Sequence, residues 1–305
     1  MAAEVWNSQL WLQDPTAIVP AKNRLLNDAV IAACDLNDGV KDGVIDDPRT
    51  CTYDPAALQC TGADNASCLT TKQVEAARRI YMGARQPNGA LIYPAYTRGS
   101  EAGWSPLYST PNAAGGSGFD YFRYTIFQDP TFSNTNFDWT TDYNRAVATQ
   151  ILGQSAPSVY NASADLRAFQ ARGGKLIIYH GWADQQITPL SSIDYRDRVV
   201  AQQGAARTDG FLRMFMLPGV AHCAGGPGPQ NIGGSSGAAP VAAPTHDVVR
   251  ALDRWVTQGT APDTMIASRV VSGAVTRSRP ICAWPKQAIY KGTGSVDQAD
   301  SYQCQ

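Results

Sequence analysis

The chain has 305 residues, 44% of them hydrophobic, with Lys+Arg 25 against Asp+Glu 26 and a formal net charge of -1. A chain of this size buries a large core and stands where one domain begins to divide, so one core with a sizeable insertion is expected. The balanced charge, without a basic block, argues against a nucleic-acid partner, and no run approaches the roughly 18 consecutive apolar residues of a membrane-spanning helix.

Residues 1–20 open with Trp6, Leu10, Trp11 and Leu12, which reads as part of a packed core rather than a tail. Glu4 and Asn7 stand where a signal peptide would have its apolar region, so the N-terminus reads as the cut edge of a longer, exported protein. Pro20 then starts a helix carrying Leu25, Leu26, Ala29, Val30 and Ala33 up to Cys34. The next stretch, DLNDGVKDGVIDD, sets Asp35, Asp38, Asp42, Asp46 and Asp47 among Gly39 and Gly43. Clustered carboxylates on a loop that glycines let curl suit calcium, and a solvated acidic turn is the competing reading. An EF-hand is excluded, because counting from Asp35 the third position is Asn37, the fifth Gly39 and the twelfth Asp46.

Cys51, Cys60 and Cys68 punctuate an aperiodic loop. Thr70 and Gln73 then form a capping-box pattern, Val74, Ala77, Ile80 and Tyr81 make an apolar face, and Gly83 stops the helix. Residues 86–145 are rich in Gly, Pro, Ser, Asn and aromatics, Trp104, Tyr108 and Tyr121 among them, with weak periodicity. Such a stretch inside a compact protein suits a functional lid, most of whose aromatics form its own small core. Arg123, among Tyr121, Phe122 and Tyr124, suits either a substrate carboxylate or phenol or an ion pair within the lid.

From Ser163 the pattern is regular. Ser163 is expected to cap a helix with Leu166 and Phe169 that ends at Gly173-Gly174; Lys175–Tyr179 is a buried strand; Thr188-Pro189 opens a helix with Ile193, Val199 and Val200. Phe211–Leu217 is the next strand, Thr245 is expected to cap a helix carrying Val248, Val249, Leu252, Trp255 and Val256 to Gly259, and Met265–Val271 forms a final strand. Alternating helices and strands of this kind build an α/β sheet.

Two strand ends carry chemistry. KLIIYHGWADQQITP delivers Asp184 and FLRMFMLPGVAHCAGG delivers His222, each onto a loop beyond the carboxyl end of its strand. An acid followed by a histidine is the α/β-hydrolase order, in which the histidine moves the nucleophile's proton and the carboxylate fixes its tautomer. The plain alternatives are a helix-start residue for Asp184 and a packed loop histidine for His222. His180, four residues before Asp184, lines the site or plays a structural part at the strand end, and His246 reads as surface. No G-x-S-x-G stands upstream of Asp184; the formal match at Gly233–Gly237 follows His222, without a strand before it or a helix behind it. The 7 cysteines form no CxxC, so six can pair in the manner of an exported protein and one cannot, against an alternative of buried thiols.

These stretches, with CDLNDGVKDGVIDDPRTC, LPGVAHCAGGPGP and the terminal TRSRPICAWPKQAIYKGTGSVDQADSYQC, resemble the tannase/feruloyl esterase family, secreted serine esterases of aromatic esters that include mono-hydroxyethyl terephthalate hydrolases. The resemblance runs from about the first helix to the C-terminus. It implies the C-terminal part of an α/β-hydrolase sheet with an inserted, disulfide-stapled, calcium-binding lid: 1–25 a remnant of the core, 26–150 the lid with its calcium loop, 151–305 the last part of the core. It further implies a structural calcium held by the carboxylates of Asp35, Asp38 and Asp42 and the carbonyls of Val40 and Val44. Asp184 and His222 become the triad acid and base. Trp104, Tyr121, Arg123, His180 and Ile187 are read as candidate substrate contacts. The implied disulfides are Cys34–Cys51, Cys60–Cys68 and Cys282–Cys304. Cys223 is left unpaired, because its family partner precedes the nucleophilic serine, and both are absent from this chain. The expectation is therefore a secreted or periplasmic carboxylic ester hydrolase for a small aromatic ester, inactive as this chain alone. The alternatives are a non-catalytic, calcium-stabilised binding module and one half of a two-chain esterase whose N-terminal part is a separate partner.

Overall fold

The computed structural model describes residues 1–17, 19–104 and 117–305; Tyr108 lies outside the described residues. The chain divides into two compact units, one of residues 1–29, 53–96 and 101–163, the other of 30–52, 97–100 and 164–305. These limits differ from 1–25, 26–150 and 151–305. The opening helix groups with the aromatic stretch, and the acidic loop groups with the later strands.

In the first unit, α1 (Ala2–Gln13) contributes Val5 to a buried cluster with Phe122, Ile126, Phe127, Phe137 and Trp139. Trp6 meets Trp139 edge-on at 5.1 Å. Each fully buried ring or branched side chain contributes about 1.5–3 kcal/mol, so this cluster is a core in its own right. Helix α2 (Pro20–Cys34) starts at the expected proline. Helix α3 (Thr71–Met82) has the capping box read from the sequence: Gln73 N donates to Thr70 Oγ1 at 3.3 Å, and Thr70 N to Gln73 Oε1 at 2.9 Å. Gly83 ends it at φ 75°, where a Cβ would lie 2.6 Å from Tyr93 O. Short antiparallel pairs β1 (Ala84–Arg85) with β2 (Leu91–Tyr93) and β3 (Gln150–Ile151) with β4 (Gln154–Ser155) flank α4 (Thr141–Ala148). Cys60–Cys68 closes a loop of this unit.

The second unit is built on β5 (Leu176–Gly181) and β6 (Leu212–Leu217), which pair in parallel from Leu176↔Leu212 to Gly181↔Leu217. Helix α5 (Leu190–Gln203) lies between them in sequence, the connection that parallel strands require. Phe211, Leu212, Met214 and Met216 bury with Trp182 and Val199, while Phe215 and Leu217 bury with Val248, Ala251, Met265 and Ile281. β6 therefore has apolar cover on both faces. Helix α6 (Val248–Gln258) precedes the antiparallel hairpin β7 (Thr264–Val271) and β8 (Ala274–Cys282), and β9 (Ala288–Tyr290) pairs with β10 (Tyr302–Cys304). Disulfides Cys34–Cys51 and Cys282–Cys304 are formed, the latter joining the ends of β8 and β10.

Three local expectations change. The helix expected from Ser163 is Arg167–Ala171, and Asp165 Oδ1 accepts from Arg167 N at 3.2 Å at its start. α6 is capped by Asp247, whose Oδ1 accepts from Val249 N at 2.9 Å and Arg250 N at 3.1 Å, whereas Thr245 turns its hydroxyl to His246 Nδ1 at 2.9 Å. A carboxylate that reaches two helix amides outcompetes a hydroxyl two residues further out. Met265–Val271 is not the last strand, because the chain turns at Ser272-Gly273 and returns as β8 in an antiparallel hairpin, with β9 and β10 beyond it.

Candidate active site

Both reactive residues follow from the register of β5 and β6. Gly181 and Leu217 are paired at the ends of the two strands, so the loops that follow leave the same edge. Trp182 N donates to Leu217 O at 2.8 Å and Ala183 N to Val220 O at 2.9 Å, which ties the loops together. Gly181 is required there, since a Cβ would stand 2.2 Å from Val220 O.

Asp184 and His222 meet on this edge. His222 Nδ1 lies 2.9 Å from Asp184 Oδ2 and 3.2 Å from Oδ1. Oδ1 also accepts from Gln186 N at 2.8 Å and Ile187 N at 2.9 Å, and Oδ2 meets His180 Nε2 at 3.1 Å. Burial alone would raise the Asp184 carboxyl, but the hydrogen bonds from His180, the Ile187 and Gln186 amides and His222 outweigh it and hold the group below its ordinary value. An ionised Asp184 accepts from Nδ1–H, which leaves the Nε2 lone pair of His222 to take a proton. The Asp184 side chain is 4% exposed and that of His222 33%, so the acid is sheltered while the base faces solvent.

His222 opens on a cavity of about 200 Å³ lined also by Tyr179, His180, Ile187, Cys223 and Ser235. Cys223 is an exposed free thiol at φ 60°. Ser235 sits on the 3-10 turn Gly234–Ser236 with its hydroxyl 2.9 Å from Tyr179 Oη, and among the described residues no serine hydroxyl bonds His222 Nε2.

A family model described as tannase and feruloyl esterase matches residues 2–305. The chain belongs to the tannase and feruloyl esterase family. It is 34% identical to an uncharacterized esterase of Xanthomonas campestris pv. campestris over 97% of this chain and 58% of that protein. It is 32% identical to a probable feruloyl esterase B-2 of Aspergillus terreus over 95% of this chain and 55% of that one. The crystal structure of feruloyl esterase B from Aspergillus oryzae superposes with a TM-score of 0.88 at 28% identity, covering 100% of this chain and 61% of the other. Tannin acyl hydrolase from Aspergillus niger, at 19% identity and TM-score 0.73, covers 99% of this chain and 57% of its own, and shares the fold. The chain thus spans between half and two thirds of the length of the relatives it matches, and its fold is that of the tannase and feruloyl esterase α/β hydrolases.

In this member of the family the acidic loop is closely organised. Asp35 Oδ1 accepts from the amides of Asp42 at 3.2 Å, Gly43 at 3.0 Å and Val44 at 3.2 Å, and Asp38 Oδ1 from Val40 N at 2.8 Å. Asp38 Oδ2 is buried without a donor among the described residues. Burial first, then the charge of Asp42, raises the Asp38 carboxyl, and Asp46, facing it, is pushed up to about 7 by burial against the attraction of Arg279. Arg279, whose side chain is 1% exposed, donates to Asp46 Oδ1 at 2.6 Å and to Asp42 Oδ2. Arg277 Nη1 also stands 3.5 Å from Asp42 Oδ2, so two arginines face the clustered carboxyls of Asp35, Asp38, Asp42 and Asp46, and the one oxygen left without a donor, with the carboxyls around it, fits a cation with oxygen ligands. Arg279 was not foreseen as the loop's partner, although its place inside an otherwise apolar strand end, RPIC, was a signal. The tightest grouping of metal-ligating side-chain types among the described residues is instead Cys60, Asp64 and Cys68. That group is no metal site, because the two sulfurs are bonded to each other and Asp64 pairs with Lys22 at 2.8 Å.

The other expected contacts fall in different units. His180 and Ile187 line the cavity beside His222. Trp104, Tyr121 and Arg123 belong to the first unit. There Trp104 is buried against Tyr81 at 5.4 Å, Tyr121 packs edge-on to Phe122 at 5.1 Å and Tyr160 at 4.7 Å, and Arg123 Nε donates to Phe132 O at 3.0 Å. Gln185 and Ser192 escaped the sequence reading: Gln185 Oε1 accepts from His222 N at 3.2 Å and Ser192 Oγ meets His180 Nδ1 at 2.8 Å. Neither carries a motif, and only proximity reveals them.

Proposed function

We propose that Asp184 and His222 are the acid and base of a secreted serine carboxylic ester hydrolase acting on small esters of hydroxylated aromatic acids. The observation that carries the reading is the 2.9 Å contact between His222 Nδ1 and a sheltered, multiply hydrogen-bonded Asp184 at a parallel strand edge. A serine hydroxyl supplied by another segment would lose its proton to His222 Nε2 as its oxygen attacks the ester carbon. The imidazolium, steadied by Asp184, would then return that proton to the departing alcohol, and water would release the acid by the same route. The names of the similar proteins, feruloyl esterase and tannin acyl hydrolase, support aromatic acid esters as the substrate class. Ile187, which lines the cavity beside His222, is the proposed contact for the aromatic ring.

The chain alone is proposed to be inactive. Ser235 is held by Tyr179 on a turn without a preceding strand, unlike a nucleophile elbow. Hydrolysis of p-nitrophenyl and gallate esters by the purified chain checks both halves of this reading. No turnover above that of His222→Ala is expected, and turnover abolished by His222→Ala and by Ser235→Ala would overturn the inactivity. The exposed Cys223 beside His222 favours a second reading, a partner segment or chain joined there by a disulfide. Thiol titration in denaturant separates the two: one thiol per chain for a free monomer, none together with a reducible larger species for a joined partner. A calcium ion held by Asp35, Asp38, Asp42 and the carbonyls of Val40 and Val44 would supply fixed positive charge that rigidifies the loop. The three disulfides support export.

A further inference from the structure

His180 is not a simple lining residue of the cavity. Its Nε2 lies 3.1 Å from Asp184 Oδ2 and 3.0 Å from Ile187 O. Both partners are acceptors, so Nε2 carries the hydrogen; in the neutral ring Nδ1 is then the acceptor of the Ser192 hydroxyl at 2.8 Å. One imidazole thus ties the end of β5, the Asp184 loop and the first turn of α5. It also bonds the same carboxylate oxygen that receives Nδ1–H of His222. Its side chain is 13% exposed, so water competes weakly for these bonds.

We propose that His180 is a positioning residue of the Asp184–His222 pair, a second imidazole that orients the acid and draws part of its charge away from the base. The proposal rests on the esterase reading for its purpose, but not for its test. Two donors on Oδ2 spread the carboxylate charge, so His222 is held less firmly in its protonated form than by an acid it alone engages. Loss of that second donor is expected to shift the His222 titration midpoint upward. A role confined to packing would change stability and leave that midpoint where it is. The titratable groups facing the two rings are Asp184, Cys223 and Tyr179; α5 contributes only the Ser192 hydroxyl to His180, and no lysine, arginine or glutamate lines the cavity among the described residues.

The test is an NMR pH titration of the His222 ring in the whole chain, made simple by a total of 3 histidines. His180→Leu is expected to raise the His222 midpoint by about half a pH unit or more, and His180→Gln, whose amide nitrogen can reach the place of Nε2, to return it toward wild type. The same midpoint in folded wild type, His180→Leu and His180→Gln overturns the proposal. If His180→Leu does not fold, Ser192→Ala takes its place, with a smaller rise expected and no change again overturning the proposal. Turnover is not read, so failure of the chain to bind or cleave esters bears on the esterase reading alone.

Discussion

Asp184 remains ionised in a nearly closed environment because donors surround it, which is the usual condition for a buried carboxylate. Its folded-state value is depressed, so its contribution to stability is fully present above the unfolded value of about 4 and is lost as the pH falls below it. Asp184→Asn is expected to cost about 1–3 kcal/mol at pH 7 and to flatten this part of the acid limb in denaturant melts at successive pH values. An unchanged acid limb would contradict that account. Legibility at this scale was uneven. Asp184 and His222 could be read from the chain because each follows a short apolar run that stops at small residues. Ser192 and Gln185 could not, since their roles depend on what lies across from them in space, and RPIC marks Arg279 as buried without naming its partner.

Elements were readable where their signals are local. The capping box at Thr70 and Gln73 involves residues three apart, and the structure carries it intact. Thr70→Ala is expected to lower stability by about 1 kcal/mol in urea unfolding, with little change in m. Asp247 caps its helix in place of Thr245, because several cap-forming residues stand together there and only backbone geometry chooses among them. The hairpin β7–β8 was half read: its second strand, AVTRSRPIC, mixes exposed and buried residues and carries Arg279 inward to the acidic loop. Gly181 makes the sharpest test of an element boundary. Gly181→Ala would set a Cβ 2.2 Å from Val220 O, so the Asp184 and His222 loops must separate. About 2 kcal/mol or more of stability should be lost, together with the protection of the Ala183 amide in hydrogen exchange.

For the whole molecule, composition pointed to one core with an insertion, and the contacts resolve two units, each with its own buried cluster. An apolar opening says that the first helix is buried, not against what. Val5 and Trp6 supply the answer by packing with the aromatic stretch. The proposed calcium site makes a prediction at this scale. Calcium at a hundredfold excess over its Kd should stabilise the chain by about 2.7 kcal/mol, read as a rise in Tm that a chelator reverses and that Asp38→Ala abolishes. An unchanged Tm in wild type would contradict it.

The measurement that bears most directly on the central claim is the tautomer of His222, read from its ring nitrogens by NMR at a pH where the ring is neutral. A base that works through Nε2 against an ionised Asp184 must carry its hydrogen on Nδ1. The Nδ1–H form is expected in the wild-type chain, with its population falling in Asp184→Asn; a wild-type chain in the Nε2–H form would contradict the assignment of Asp184 and His222 as acid and base.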